Sequence, residues 1–68
     1  MKILILGGTG AMGKSLVQIL SKNKENDIYI TSRSQYKSIE NMHYIQGNAH
    51  DIGFISKQLE DKYDAIID

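Results

Sequence analysis

The chain has no cysteine, proline or tryptophan, a single arginine, and no apolar run longer than four residues. Without cysteine there is no disulfide, and the composition is compatible with a reducing cytoplasm. The eight basic and eight acidic residues cancel to no net charge. Nothing in that balance, with Arg33 the one arginine, suggests a basic nucleic-acid face or a polybasic membrane patch. The apolar run at residues 3–6, after Met1 and Lys2, superficially resembles a signal peptide. It is shorter than the roughly 7–15 residues of an h-region and far short of the roughly 20 needed to span a bilayer. A buried strand is the better reading. His43 and His50 stand seven residues apart, with no cysteine or paired carboxylate spaced as metal ligands. They read as a strand-flanking residue and a loop residue.

What remains is 68 residues, 41% hydrophobic and 24% charged, enough for one small domain or a piece of a larger one. A chain of this size buries only about 60% of the surface its unfolded form exposes. It does so against a conformational entropy on the order of 100 kcal/mol. Marginal stability is therefore expected.

Ile3, Leu4, Ile5 and Leu6 form an unbroken apolar run without alternation, the pattern of a parallel strand covered on both faces. Glycines at 7, 8 and 10 end it. A helix is expected from Ala11 to Lys22, with Met12, Leu16, Ile19 and Leu20 recurring on its apolar side. Residues 23–26 are a polar turn. Ile28, Tyr29 and Ile30 make a second strand that ends in the polar group Thr31 to Gln35. Residues 36–41 fit either a short helix or an irregular crossover. A weaker third strand spans residues 42–46 and stops at Gly47 and Asn48. Asp51 is placed to cap a helix running to about Lys62, with Ile52, Ile55 and Leu59 along one face. Residues 65–67 make a fourth strand.

Strands alternating with helices imply parallel pairing through right-handed crossovers, with spatial order 3-2-1-4. This is half of a doubly wound α/β fold of the Rossmann kind. The chain closes on an apolar strand whose edge is exposed, so truncation after strand four is expected, or pairing of that edge with a second copy.

The loop Gly7-Gly8-Thr9-Gly10-Ala11-Met12-Gly13-Lys14-Ser15 satisfies three patterns at once. Gly8, Gly10 and Gly13 fit G-x-G-x-x-G, and Gly7, Gly10 and Gly13 fit G-x-x-G-x-x-G. Gly8 with Gly13, Lys14 and Ser15 fits the P-loop, in which Lys14 would meet β- and γ-phosphates and Ser15 a magnesium ion. Each reading aims backbone N–H groups and a helix N-terminus at a phosphate. Gly7 as the first turn residue after the strand favours the 7/10/13 spacing. There Gly7 makes the tight turn, Gly10 admits the pyrophosphate and Gly13 lets helix and strand pack closely. The backbone N–H groups of Ala11 and Met12 face the pyrophosphate. Thr9 offers a hydroxyl either to the ligand or to the turn itself. At the end of strand two, where a dinucleotide unit reads the ribose, stand Ser32, Arg33 and Ser34 with no acidic residue. A guanidinium there suits a 2′-phosphate, hence NADP in preference to NAD.

The run from Ile3 to Gly13 resembles the N-terminus of extended short-chain dehydrogenases/reductases, the NAD-dependent epimerase/dehydratase family. Gly47-Asn48-Ala49-His50-Asp51 is similar to that family's G-D-x-x-D element, whose first aspartate reads the adenine amino group. Asn48 replaces that aspartate with an uncharged acceptor, and Ala49 follows it in the adenine loop. The resemblance implies an oxidoreductase acting on a small molecule, with nucleotide-sugars a candidate class. It also implies a catalytic tyrosine and lysine four residues apart, and no tyrosine here has that partner: Tyr29, Tyr36, Tyr44 and Tyr63 are followed by Arg33, Glu40, Asn48 and Ile67. The expected cofactor contacts are therefore Gly7, Thr9, Gly10, Ala11, Met12, Gly13, Ser32, Arg33, Asn48 and Ala49, with no catalytic residue among the 68.

Overall fold

The computed structural model describes residues 1–7 and 10–67, with only the backbone of Ala11 and Met12. Its elements are β1 (Lys2–Ile5), α1 (Ala11–Ser21), β2 (Asp27–Ser32), β3 (Met42–Gln46), α2 (Ile52–Leu59) and β4 (Ala65–Ile67). The four strands form one parallel sheet in the order β3-β2-β1-β4, as the alternation of strands and helices implied. The step from β1 to β2 and the step from β3 to β4 run in opposite directions across the sheet. Right-handed crossovers therefore carry α1 and α2 over opposite faces.

Register follows the apolar pattern. Ile3 pairs with Ile28 and Ala65, and Ile5 with Ile30 and Ile67. Because side chains alternate, all of these face α1, where Val17, Leu16 and Leu20 pack on them. Burial of each such isoleucine contributes about 1.5–3 kcal/mol. Leu4 points the other way and is also fully buried, so β1 is covered on both faces as its unbroken run required.

Three expectations are corrected. On α1, Ile19 is 64% exposed while Val17 is 5% exposed, because residue 19 lies about 200° around the helix axis from residue 17. On α2, Ile52 and Leu59 face solvent, and Phe54, Ile55 and Gln58 are the half-buried residues. That helix also closes at Leu59, short of Lys62: the N–H groups of Glu60 and Asp61 turn back to the carbonyls three residues earlier, tightening the final turn. The polar group that ends β2 begins inside the strand, where Thr31 and Ser32 are buried.

Residues 36–41 form the irregular crossover, with an antiparallel bridge between Ile39 and Met42 and a left-handed φ of 53° at Glu40. The Lys24 ammonium pairs with the Glu40 carboxylate and holds it below the usual carboxylate range. Next to it Asn41 is buried, and its amide donates to the carbonyls of Ser21, Asn23 and Asn26 at 3.2, 3.4 and 2.9 Å. One side chain thus fastens the α1–β2 turn to the entry of β3. Among the described residues, no helix is long and apolar enough to cross a membrane.

Candidate functional site

The site lies at the carboxyl ends of the parallel strands, where open α/β sheets bind ligands. The Leu6 N–H still bonds to the Ile67 carbonyl at 2.8 Å, and the chain then breaks away at Gly7 with a φ of 68°. Only glycine adopts that conformation without strain. The Gly7 N–H donates to Thr31 Oγ1 at 2.8 Å, tying the glycine turn to β2. Thr31 was missed as a site residue. The available signal was a β-branched residue one position past the Ile5–Ile30 pair, hence level with the turn.

Gly10 is the N-cap of α1, with φ −72° and ψ 173°, and no side chain caps the helix. No acidic residue occupies its first turn. The first-turn N–H groups, Ala11 and Met12 included, are thus left without a capping side chain at the positive end of the helix dipole. Among the described residues, a Cβ added at Gly10 would meet nothing within 4 Å. Those residues leave the backbone there open to approach, which is what a pyrophosphate requires. Gly13 is half-buried within the helix. Thr9, and Gly8 with it, lie outside the described residues.

The helix register bears on the P-loop alternative. Lys14 N–H bonds to the Gly10 carbonyl at 2.8 Å, so Gly13, Lys14 and Ser15 already sit inside α1. A helix starting at Ala11 follows the 7/10/13 spacing, with Gly13, Lys14 and Ser15 as helical residues.

Gly7, Thr31, Ser32, Arg33, Ser34, Gly47, Ala49 and His50 line a cleft of about 330 Å3. That volume is at the lower end for small-molecule sites and fits the adenosine portion of a dinucleotide. The structure thereby joins four predicted residues, Gly7, Ser32, Arg33 and Ala49, from three separate strand ends. Arg33 is held by its backbone: its carbonyl accepts from Gln46 Nε2 at 3.3 Å, and the Ser34 N–H bonds to Ser32 Oγ at 3.2 Å. Its side chain is exposed.

Asn48 does not line the cleft. Its Oδ1 accepts from the His50 N–H at 2.9 Å and its carbonyl from the Asp51 N–H at 2.9 Å, so it shapes the β3–α2 loop. Asp51 caps α2 as expected, its carboxylate accepting from the Phe54 N–H at 3.2 Å. Gly47 is required by packing, because a Cβ there would fall 2.2 Å from the Phe54 ring.

A family model, the KR domain, matches residues 2–65. The chain belongs to the KR-domain family. A KR domain is a ketoreductase module, an NAD(P)-binding Rossmann domain of short-chain dehydrogenase type, and its sheet order and glycine turn are those found here. Neither a curated protein nor a solved structure matches the chain.

One consequence follows for the turn of this KR domain. Thr31→Val keeps the shape of the side chain but strips the Gly7 N–H of its acceptor, leaving a partly buried donor unpaired. Urea denaturation should show a loss of about 1–3 kcal/mol, and Thr31→Ser, which restores the hydroxyl, should recover most of it.

Proposed function

We propose that the chain holds the adenosine and pyrophosphate of NADP, in preference to NAD, for a reductase-type enzyme. The observation that carries this reading is the single arginine lining the cleft, beside Ser32 and Ser34, with no carboxylate among the described lining residues. A ribose 2′-OH needs an acceptor there, and a 2′-phosphate needs donors. Arg33 supplies a planar fork of them. The pyrophosphate lies over Gly10 and the first turn of α1, met by the backbone of Gly7, Ala11, Met12 and Gly13, and the Thr9 hydroxyl is a further candidate donor. The adenine lies against Ala49, with Asn48 fixing the loop that carries it. When bound, the nicotinamide exchanges a hydride with a small-molecule substrate; these residues orient the other end of the cofactor.

The narrower reading is an epimerase/dehydratase-type enzyme acting on a nucleotide-sugar in the cytoplasm, with a second copy meeting the free edge of β4. It is supported by the likeness of Gly47 to Asp51 to that family's adenine loop, and by half-exposed Ile66 on the edge strand.

Calorimetric titration tests the cofactor assignment. Arg33→Ala should weaken NADPH by about 10- to 100-fold, the worth of a charge-assisted hydrogen bond of roughly 1.5–3 kcal/mol. NADH should change by less than about twofold, since the lost contact is to the 2′-phosphate. Equal losses for the two cofactors would refute a 2′-phosphate role for Arg33.

A further inference from the structure

We infer that His50 is a second specificity-determining residue, a donor that meets the 2′-phosphate from the β3–α2 loop of the cleft that Arg33 also lines. The inference deepens the NADP reading and rests on it.

Arg33 and His50 come from different elements, the end of β2 and the β3–α2 loop, and both line the same cleft. Their backbones are fixed independently. Arg33 is fastened through Gln46 Nε2 and the Ser32–Ser34 turn. His50 is fastened through the hydrogen bond from its N–H to Asn48 Oδ1 at 2.9 Å. Among the described residues, no hydrogen bond, ion pair or ring contact engages the imidazole. The contrast with His43 is informative: that ring stacks on Tyr29 with centroids 4.6 Å apart and faces the Asp27 carboxylate at 3.6 Å. One histidine is built into the sheet face, and the other stands over the cleft with its donors unspent.

Imidazole carries an N–H in either tautomer and two when protonated. A phosphate presents three acceptor oxygens, more than one guanidinium fork occupies. Arg33, at the end of β2, is the charged residue among the described residues that line the cleft, and Asp51 adjoins His50 on its own loop. The Asp51 carboxylate is turned back to the Phe54 N–H, so it does not occupy the cleft. A 2′-phosphate between Arg33 and His50 is then gripped from two strand ends, with the hydroxyls of Ser32 and Ser34 beneath it.

The test uses ligands that carry only the half of the cofactor this cleft receives: adenosine 2′,5′-bisphosphate and adenosine 5′-monophosphate, titrated into the wild type, His50→Ala, His50→Gln and Arg33→Ala. His50→Ala should weaken the bisphosphate about 10- to 100-fold, the worth of one hydrogen bond to a charged group, and leave the monophosphate within about twofold. His50→Gln, which keeps a donor at similar reach, should regain part of the loss. The 31P resonance of the bound 2′-phosphate should also shift in His50→Ala. If His50→Ala weakens both ligands equally, or neither, while Arg33→Ala selectively weakens the bisphosphate, the role of His50 is overturned and the NADP reading stands. If Arg33→Ala shows no selectivity either, both fall together. A wild type that binds neither ligand overturns both as well.

Discussion

Gly10→Ala should leave the chain about as stable as the wild type while weakening NADPH by at least about tenfold, or 1.4 kcal/mol. The two effects separate because none of the described residues packs on Gly10. Its φ of −72° suits any L-residue, and an added Cβ meets nothing within 4 Å among the described residues. Replacing glycine by alanine at an uncapped N-cap costs at most about 1 kcal/mol. A methyl group there stands instead where the pyrophosphate must approach the backbone. Gly7 is the internal contrast. Its φ of 68° is left-handed, so Gly7→Ala strains the turn by about 1–2 kcal/mol whether or not a ligand is present. Thermal melts and titrations of the two variants together distinguish a glycine kept for the ligand from one kept for the fold. Loss of stability in Gly10→Ala, with binding intact, would contradict this assignment.

Asn41→Asp should be the most damaging single change outside the site. The amide of Asn41 faces three carbonyl oxygens at 2.9–3.4 Å in a side chain that is only 8% exposed. A carboxylate of the same shape replaces the donor with negative charge aimed at those oxygens. The expected cost at neutral pH is about 3–5 kcal/mol, the range for an unpaired buried charge. That is comparable to the whole stability of a domain this small. The pH dependence has a definite sign. Burial and the facing carbonyls raise the introduced carboxyl's folded pKa above its unfolded value of about 3.9. The variant is therefore closest to the wild type below that value and falls behind as pH rises through the folded pKa. Circular dichroism melts at pH 4 and pH 7 should show the gap widening toward pH 7. Asn41→Ala, which removes donors without adding charge, should lose about 1–3 kcal/mol and show no such trend.

Much of the architecture was legible because it rests on short-range patterns. The unbroken run at residues 3–6 marked a strand buried on both faces, and fully buried Leu4 agrees. Asp51 before a helix was recognisable as a cap because a carboxylate can satisfy an otherwise unpaired N–H. Packing direction was harder. Ile19 and Val17 differ by two residues and by about half a turn of helix, so the apolar stripe misread one for the other. Ile52 and Leu59 suited an amphipathic helix, yet the half-buried side of α2 is set by Phe54, which fills the space left by Gly47.

The site divides in the same way. The glycine turn and Arg33 announced themselves by position relative to strand ends. Thr31 and His50 did not, since their meaning depends on which strand lies beside which. Thr31 matters because β2 neighbours β1 at the turn, and the proposal for His50 arises because the β3–α2 loop lines the same cleft as the end of β2. Asn41 was silent for a related reason: its three partners lie 15–20 residues earlier in the chain.

The proposed binding of the adenosine side of NADP in the cleft at the strand ends is tested most directly by titrating 15N-labelled chain with NADPH and following the backbone amide resonances. Shifts should be confined to Gly7, the first turn of α1 from Gly10 to Lys14, Ser32 to Ser34, and Ala49 and His50, with NADH moving the Arg33 region far less. Resonances of Lys14 and Ser15 that respond to magnesium-ATP but not to NADPH would contradict it and return the glycine loop to the P-loop reading.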